Sequence, residues 1–413
     1  MNRSPFPKQA FAIISEKNPW EDTEHLPTLS TPYALLLSLI SMLCATYPTV
    51  CDRFPTLWWL PILCCAPFYL RTNRTPYGWL LLAAALLSGA LLGSLELGVI
   101  LFCVISTLTI TAFLHTTTRH PLLILLPIIA YTVAVLLTRD PVIALFATPA
   151  YPAAYIMGRS IMSNERRVST IASSALVLGG VVVFAVALLW RLSDLEMSMQ
   201  ALLTVAYGVR DEIVELALTD PMLSQMRVML ESAGYDIAAT FSSVFDFVLM
   251  LVPGVICVLF LLISYAAQYL CVMSYPPMKM KQFCTVLSRR FTLSVLSAVI
   301  FVVCAVVALF PSSRLTLFSA VTQNLFLILF PGMLVAGFWS LYASYRNRPY
   351  PFYLILALVF GAIMPHILLV FVALSGATAT LTRPLLLKIM VLTAEQNGKP
   401  GDHDQNQDPP AQS

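Results

Sequence analysis

A chain of 413 residues that is 58% hydrophobic and only 11% charged is not a soluble protein of ordinary make-up, which carries about 25% charged and 45–50% apolar residues. The apolar stretches run nearly end to end and leave no gap for a separate soluble domain. The net charge of +3 comes from 24 Lys and Arg scattered through short segments, not gathered on a face that could track phosphates, so nucleic acid is excluded as a partner and the lipid bilayer is the expected surrounding.

Residues 1–30 hold Pro5, Pro7, Pro19 and Pro27 with seven charges, and lack the apolar core and small-residue cleavage site of a signal peptide. They are expected to be a cytoplasmic polar tail, with the first helix retained as an anchor. Crossing about 30 Å of hydrocarbon takes roughly 20 helical residues, so spans are sought as runs without Asp, Glu, Lys or Arg. Eleven such runs follow: 26–51, 54–70, 75–95, 97–118, 121–138, 141–158, 168–190, 247–278, 291–313, 315–345 and 349–382. Each is expected to be helical, because hydrocarbon offers no partner to an unpaired backbone group. The second run contains Pro55, Pro61 and Pro67 and the sixth Pro141, Pro149 and Pro152, which predicts kinks or re-entrant turns there. The fold class expected is all-α, a polytopic transmembrane helix bundle of about 11 spans (10 to 12). Residues 31–190 form an amino-terminal membrane half of about seven spans, and 247–382 a carboxy-terminal half of about four.

Short loops expected inside carry twelve Lys and Arg and those outside three, which puts the amino terminus in the cytoplasm. Residues 191–246 interrupt the short loops with nine of the chain's 21 acidic residues. Leu202, Ala206, Val209, Ile213 and Leu216 recur there at helical spacing, as do Met222, Met226, Met229 and Ala233 after Asp220-Pro221. Two amphipathic helices lying on the outer face are expected. Residues 383–413 read as an amphipathic stretch followed by a disordered tail.

No zinc-binding His pair, serine elbow or phosphate loop is present, so no catalytic residue, metal ligand or cofactor is assigned and the chain is read as a non-enzyme. The nine cysteines show no paired spacing suited to zinc or redox work and read as small buried hydrophobes. Gln323 and Asn324 fall near mid-membrane and precede Pro331-Gly332; a polar pair beside a helix break resembles a transporter site, and an interhelical hydrogen bond is the plainer alternative. His366, after Pro365, is a second ligand-binding candidate, against a partnered structural histidine. Glu96 and Asp140 close very short outer connections, as solvated turn charges or as groups facing a cavity. Ala34, Ser38, Ser41 and Ala45 make a stripe of small residues, suited to internal packing or, through Ala34, Ser38 and Ser41, to docking a separate subunit. Residues 115–120 and 159–167 read as polar cytoplasmic loops, solvated or facing anionic headgroups or a partner.

Several features together resemble the YybS-like family of bacterial membrane proteins of unknown function. They are Tyr151-Pro152 leading through Gly158-Arg159 to Arg166-Arg167, then a long span, an amphipathic excursion, Leu251-Val252-Pro253 and Phe330-Pro331-Gly332. The likeness covers residues 33–376. It implies that the amino-terminal half is distantly similar to the S components of energy-coupling-factor vitamin transporters, and gives Ala34, Ser38 and Ser41 a docking role. The expected function is a bacterial inner-membrane protein that binds a small molecule or lipid and works with membrane-protein partner subunits in transport. A scaffold in cell-envelope assembly is the alternative.

Overall fold

The computed structural model describes residues 29–71, 94–118, 121–163, 165, 167–192, 199–219, 236–274, 293–309, 317–347 and 364–398, with isolated positions between them. Every regular element among the described residues is a helix. Seven of these are long and apolar enough to cross a membrane: Thr31–Val50, Leu95–Thr117, Pro141–Met162, Arg167–Arg191, Ala238–Val272, Phe318–Tyr342 and Ile367–Pro384. Two shorter apolar helices, Leu123–Thr138 and Val295–Ala308, accompany them. The third expected run, 75–95, lies almost wholly outside the described residues, as do the polar tails 1–28 and 399–413 and most of the second amphipathic stretch after Pro221. Many large apolar side chains point outward, among them Leu35, Leu39, Leu136, Leu176, Phe184 and Phe371, a surface that water does not tolerate and hydrocarbon does.

The chain divides into two compact units, Met1–Phe291 and Thr292–Ser413. The long helix after the acidic segment packs with the amino-terminal helices and so lies in the first of these units. The first unit contains α1 (Thr31–Val50), α2 (Trp59–Arg71), α3 (Leu95–Thr117), α4 (Leu126–Thr138), α5 (Ala150–Met162), α6 (Arg167–Leu192), α7 (Met199–Thr219) and α8 (Ile237–Met273).

Helix α3 is the hub, with α1, α2, α5 and α8 packed around it. Of its most apolar stretch 78% is buried, against 28% for α6 and 17% for α8, which keep most of their surface outside the packed core. A core helix rich in Ser and Thr would leave orphaned hydroxyls, but four of them find a carbonyl one turn back. Thr107 donates to the Cys103 carbonyl at 2.8 Å, Thr109 to Ile105 at 2.7 Å, Thr116 to Phe113 at 2.8 Å and Thr117 to Phe113 at 2.7 Å. Between helices, the Ser41 and Thr111 hydroxyls meet at 2.7 Å, and Tyr69 donates to Ser106 at 3.1 Å.

The charges read as turn residues are built into helix starts. Ser94 caps α3, its Oγ accepting from the Leu97 amide at 3.2 Å, and Glu96 sits in the first turn, where a carboxylate favours the helix dipole. Asp140 caps the one-turn helix Pro141–Ala144, accepting from the amides of Val142 at 2.8 Å and Ile143 at 3.2 Å. At the end of α4, Arg139 takes a left-handed conformation (φ 58°) and the Arg53 guanidinium donates to the last carbonyls, Leu137 at 2.7 Å and Thr138 at 2.5 Å. Arg53→Ala is expected to cost about 1 kcal/mol, read as a lowered unfolding midpoint in detergent, with Arg53→Lys recovering part of it.

The kink expected in the sixth run is present. Pro141–Ala144 passes into a 3-10 turn, Leu145–Ala147, and α5 restarts at Ala150 with Pro152 in its first turn, where a missing amide hydrogen costs nothing. The second run is likewise a 3-10 turn, Pro55–Leu57, followed by the 13-residue α2.

Helix α8 corrects the boundary of the acidic segment. Asp236 caps it, accepting from the Ala239 amide at 3.3 Å, and the helix runs unbroken past Asp246 for 37 residues, roughly 55 Å against about 30 Å of hydrocarbon. A lone carboxylate does not stop a helix, so residues 237–246 belong to α8. The first amphipathic helix, α7, ends at Thr219 just before Asp220-Pro221 as expected. It lies against α8, where Arg210 stacks over Tyr207 at 4.8 Å and approaches Asp246 at 3.7 Å. Of its expected apolar stripe, Ala206 is half-buried, while Val209, Ile213 and Leu216 are 43–63% exposed and left largely open by the neighbouring helices.

The second unit contains α9 (Val295–Leu309), α10 (Leu317–Asn347) and α11 (Pro365–Gly398). Its core joins Ala298, Phe301, Met333, Ala373 and Ala377. Helices α10 and α11 meet backbone to backbone: a methyl group on Gly337 would overlap the Val372 carbonyl, and one on Gly376 the Met333 carbonyl and the Gly337 backbone. The last expected run, 349–382, is not one helix, since Met364 is non-helical and α11 begins at Pro365.

Candidate functional site

A cavity of about 540 Å³ lies within the first unit, where the proline-broken segments meet the end of α3. His115 from the last turn of α3 forms one wall. Leu123, Ile124 and Pro127 come from the 3-10 turn Pro121–Leu125 and the start of α4, and Thr148, Tyr151, Pro152 and Tyr155 from the bend before α5 and its first turns. Two straight helices would close this space with interlocking side chains. The prolines at 121, 127, 149 and 152 prevent that locally.

Gly158 sets the depth of the cavity. A Cβ there would stand 3.0 Å from the His115 Cβ and 3.2 Å from the Ala112 carbonyl, so glycine is what lets α5 come this close to α3. The same approach brings His115 and Tyr155 into an edge-to-face contact, ring centroids 5.3 Å apart at 80°. Tyr151 is 3% exposed, and its hydroxyl, buried near Ser41, makes no well-formed hydrogen bond. The result is a largely apolar recess with an imidazole and hydroxyls at fixed points, the composition of a site for a small amphipathic molecule. No family model, curated protein or solved structure matches this chain. The site is therefore argued from its own chemistry.

The residues singled out from the sequence lie elsewhere. Ser41 is fully buried and bonded to Thr111, Ala45 is buried, and Ala34 packs against the core, so this stripe faces the interior of its unit. Ser38 is half-buried, its hydroxyl returned to the Ala34 carbonyl at 2.8 Å. Outward on α1 are Leu35, Leu36 and Leu39. In the second unit, Gln323 donates to Ser319 Oγ at 3.3 Å and Asn324 to the Ala320 carbonyl at 2.8 Å, both one turn back in the same helix. The Gln323 side-chain oxygen is buried without a hydrogen bond. The helix break expected at Pro331-Gly332 is absent: α10 continues through both residues, as a membrane helix can where neighbouring groups or local adjustment re-satisfy the backbone that proline frees. His366 is the second residue of α11.

Residues 115–117, read as part of a loop, are the last residues of α3, with Thr116 and Thr117 buried. Arg159 lies in α5, and Arg167 opens α6 with its guanidinium over Tyr265 at 5.0 Å and Nε donating to Gln268 at 3.2 Å. Arg119, His120 and Arg166 lie outside the described residues. Among the described residues no three His, Cys, Asp or Glu converge as a metal site would require. The cavity residues carried one signal in the sequence, the clustering of prolines with Tyr151 and Tyr155, which pointed to a bend and not to a recess.

Proposed function

We propose that this protein is a non-enzymatic bacterial inner-membrane component that binds a small amphipathic molecule or lipid in the cavity of its amino-terminal unit and works with partner subunits in transport. Its amino terminus is cytoplasmic and its spans number about eleven. Likeness to the YybS-like family and to coupling-factor S components belongs to the same proposal. The cavity carries the reading: about 540 Å³, walled by Leu123, Ile124, Pro127 and Pro152, and offering His115, Thr148 and Tyr155 as polar contacts. Apolar walls bind an apolar body, and a few fixed polar groups orient its head. The exposed apolar stripe of α7 supports the part of the proposal that concerns partners or lipid.

The experiment is native mass spectrometry of the full chain released from detergent. The unaltered protein is expected to retain a small molecule or lipid, and Thr148→Trp, which puts an indole into the cavity, to lower its occupancy at least tenfold with an unchanged unfolding midpoint. Gln323→Leu with Asn324→Leu should leave occupancy unchanged, since both amides are engaged within their own helix. Equal ligand load in the Thr148→Trp protein would remove the cavity from consideration.

A further inference from the structure

The cysteines that showed no sequence pairing are brought together in space. Cys44 of α1 and Cys65 of α2 place their sulfurs 3.3 Å apart, and both side chains are completely buried. The pairing follows from the hairpin. Cys44 lies six residues before the end of α1 and Cys65 six residues after the start of α2, so folding about the connection sets them side by side. Cys103 of α3 also contacts Cys44, and Ser106 contacts Cys65, so the pair sits on the hub helix in a pocket of weakly polar groups. A disulfide needs about 2.05 Å between sulfurs, a closure of roughly 1.3 Å that side-chain rotation of two cysteines on neighbouring helices can supply.

We propose that Cys44 and Cys65 are a modification site, a dithiol that closes to an intramolecular disulfide pinning α1 to α2. Burial within the unit determines the class of oxidant. Ionic, water-borne reagents do not reach these thiols, whereas a small apolar two-electron acceptor that dissolves in hydrocarbon does. Dioxygen is such a molecule. Two S–H bonds break and one S–S bond forms; the dithiol gives up two electrons and two protons, and dioxygen takes both to become hydrogen peroxide. Cys103 remains a thiol, because Cys44 has a single sulfur to share.

The test uses the full chain purified under a reductant that is then removed. It is held in air-saturated buffer, so that dissolved dioxygen is the oxidant, then denatured without reductant in the presence of N-ethylmaleimide, digested and analysed by mass spectrometry. The expected product is a peptide pair joined through Cys44 and Cys65, two hydrogens lighter than its parts, with two fewer alkylated thiols per chain. Cys103→Ala should keep the link and Cys65→Ser abolish it. Because a substituted chain can misfold, the unaltered protein decides: full alkylation of both Cys44 and Cys65, or a link from Cys44 to Cys103 instead, overturns the proposal.

Discussion

Gly376→Leu should remove the folded carboxy-terminal unit. Helices α10 and α11 touch through Gly337 and Gly376, where even a methyl group would coincide with the Met333 or Val372 carbonyl. Backbone cannot step aside as a flexible side chain does, so the helices must separate and forfeit the packing of Met333, Ala373 and Ala377, all completely buried. Overpacking a core costs about 1–3 kcal/mol where side chains can adjust, and the loss here should exceed about 3 kcal/mol. Two glycines supply the control. Nothing lies within 4 Å of a Cβ built on Gly180 or Gly208, so Ala at either should be neutral or raise the unfolding midpoint slightly, by removing a helix-destabilising glycine. If Gly376→Leu and Gly208→Ala give the same midpoint in detergent, the close crossing is wrong.

Ser41→Leu should be nearly as damaging to the amino-terminal unit. Ser41 is fully buried with its hydroxyl 2.7 Å from that of Thr111, and three added carbons would have to enter the interface between α1 and α3. The expected cost is about 3 kcal/mol from overpacking together with the orphaned Thr111 hydroxyl. Ser41→Ala keeps the volume and should cost about 1 kcal/mol. Leu39→Ala, on the outward side of the same helix where the leucine is 59% exposed, should change the midpoint by less than about 0.5 kcal/mol. A stripe kept free for a docking subunit would give the reverse order, with Ser41→Leu folding normally.

The contrast between Ser41 and Leu39 shows which parts of this molecule are legible in its sequence. Helical class, apolar character and the kink between Pro141 and Pro152 follow from composition and from proline chemistry, which act locally, and the structure has all three. The boundary drawn at Asp246 failed, because a single carboxylate beside Arg210 is compatible with continued helix, whereas the one drawn at Glu96 fell within two residues of the Ser94 cap. Small residues announce close approach but not what approaches, so the stripe around Ser41 left packing and docking open. The same limit hid the cavity and the thiol pair. His115 and Tyr155 lie 40 positions apart in the chain, and Cys44 and Cys65 lie 21 apart; the packing of α5 on α3 joins the first pair and the α1–α2 hairpin the second. The Gln323 and Asn324 side chains show another limit of sequence. In an apolar helix the nearest acceptor is the helix itself, one turn back, so a polar residue at mid-span need not face a ligand.

The hydroxyls of α3 have a consequence for biogenesis. Thr107, Thr109, Thr116 and Thr117 each bond to a carbonyl of the same helix, so these four hydroxyls can enter the bilayer already paired, whereas Ser106 and Thr111 meet Tyr69 of α2 and Ser41 of α1. Insertion of the most deeply enclosed helix therefore leaves two hydroxyls, Ser106 and Thr111, for the neighbouring helices to complete. Longer contacts then become available as neighbours arrive, Thr107 reaching the Ser41 carbonyl and Thr109 the Ala267 carbonyl, each at 3.5 Å. These second bonds are shared with the first and not exchanged for them, so assembly proceeds without a step in which the nascent core must first be unmade.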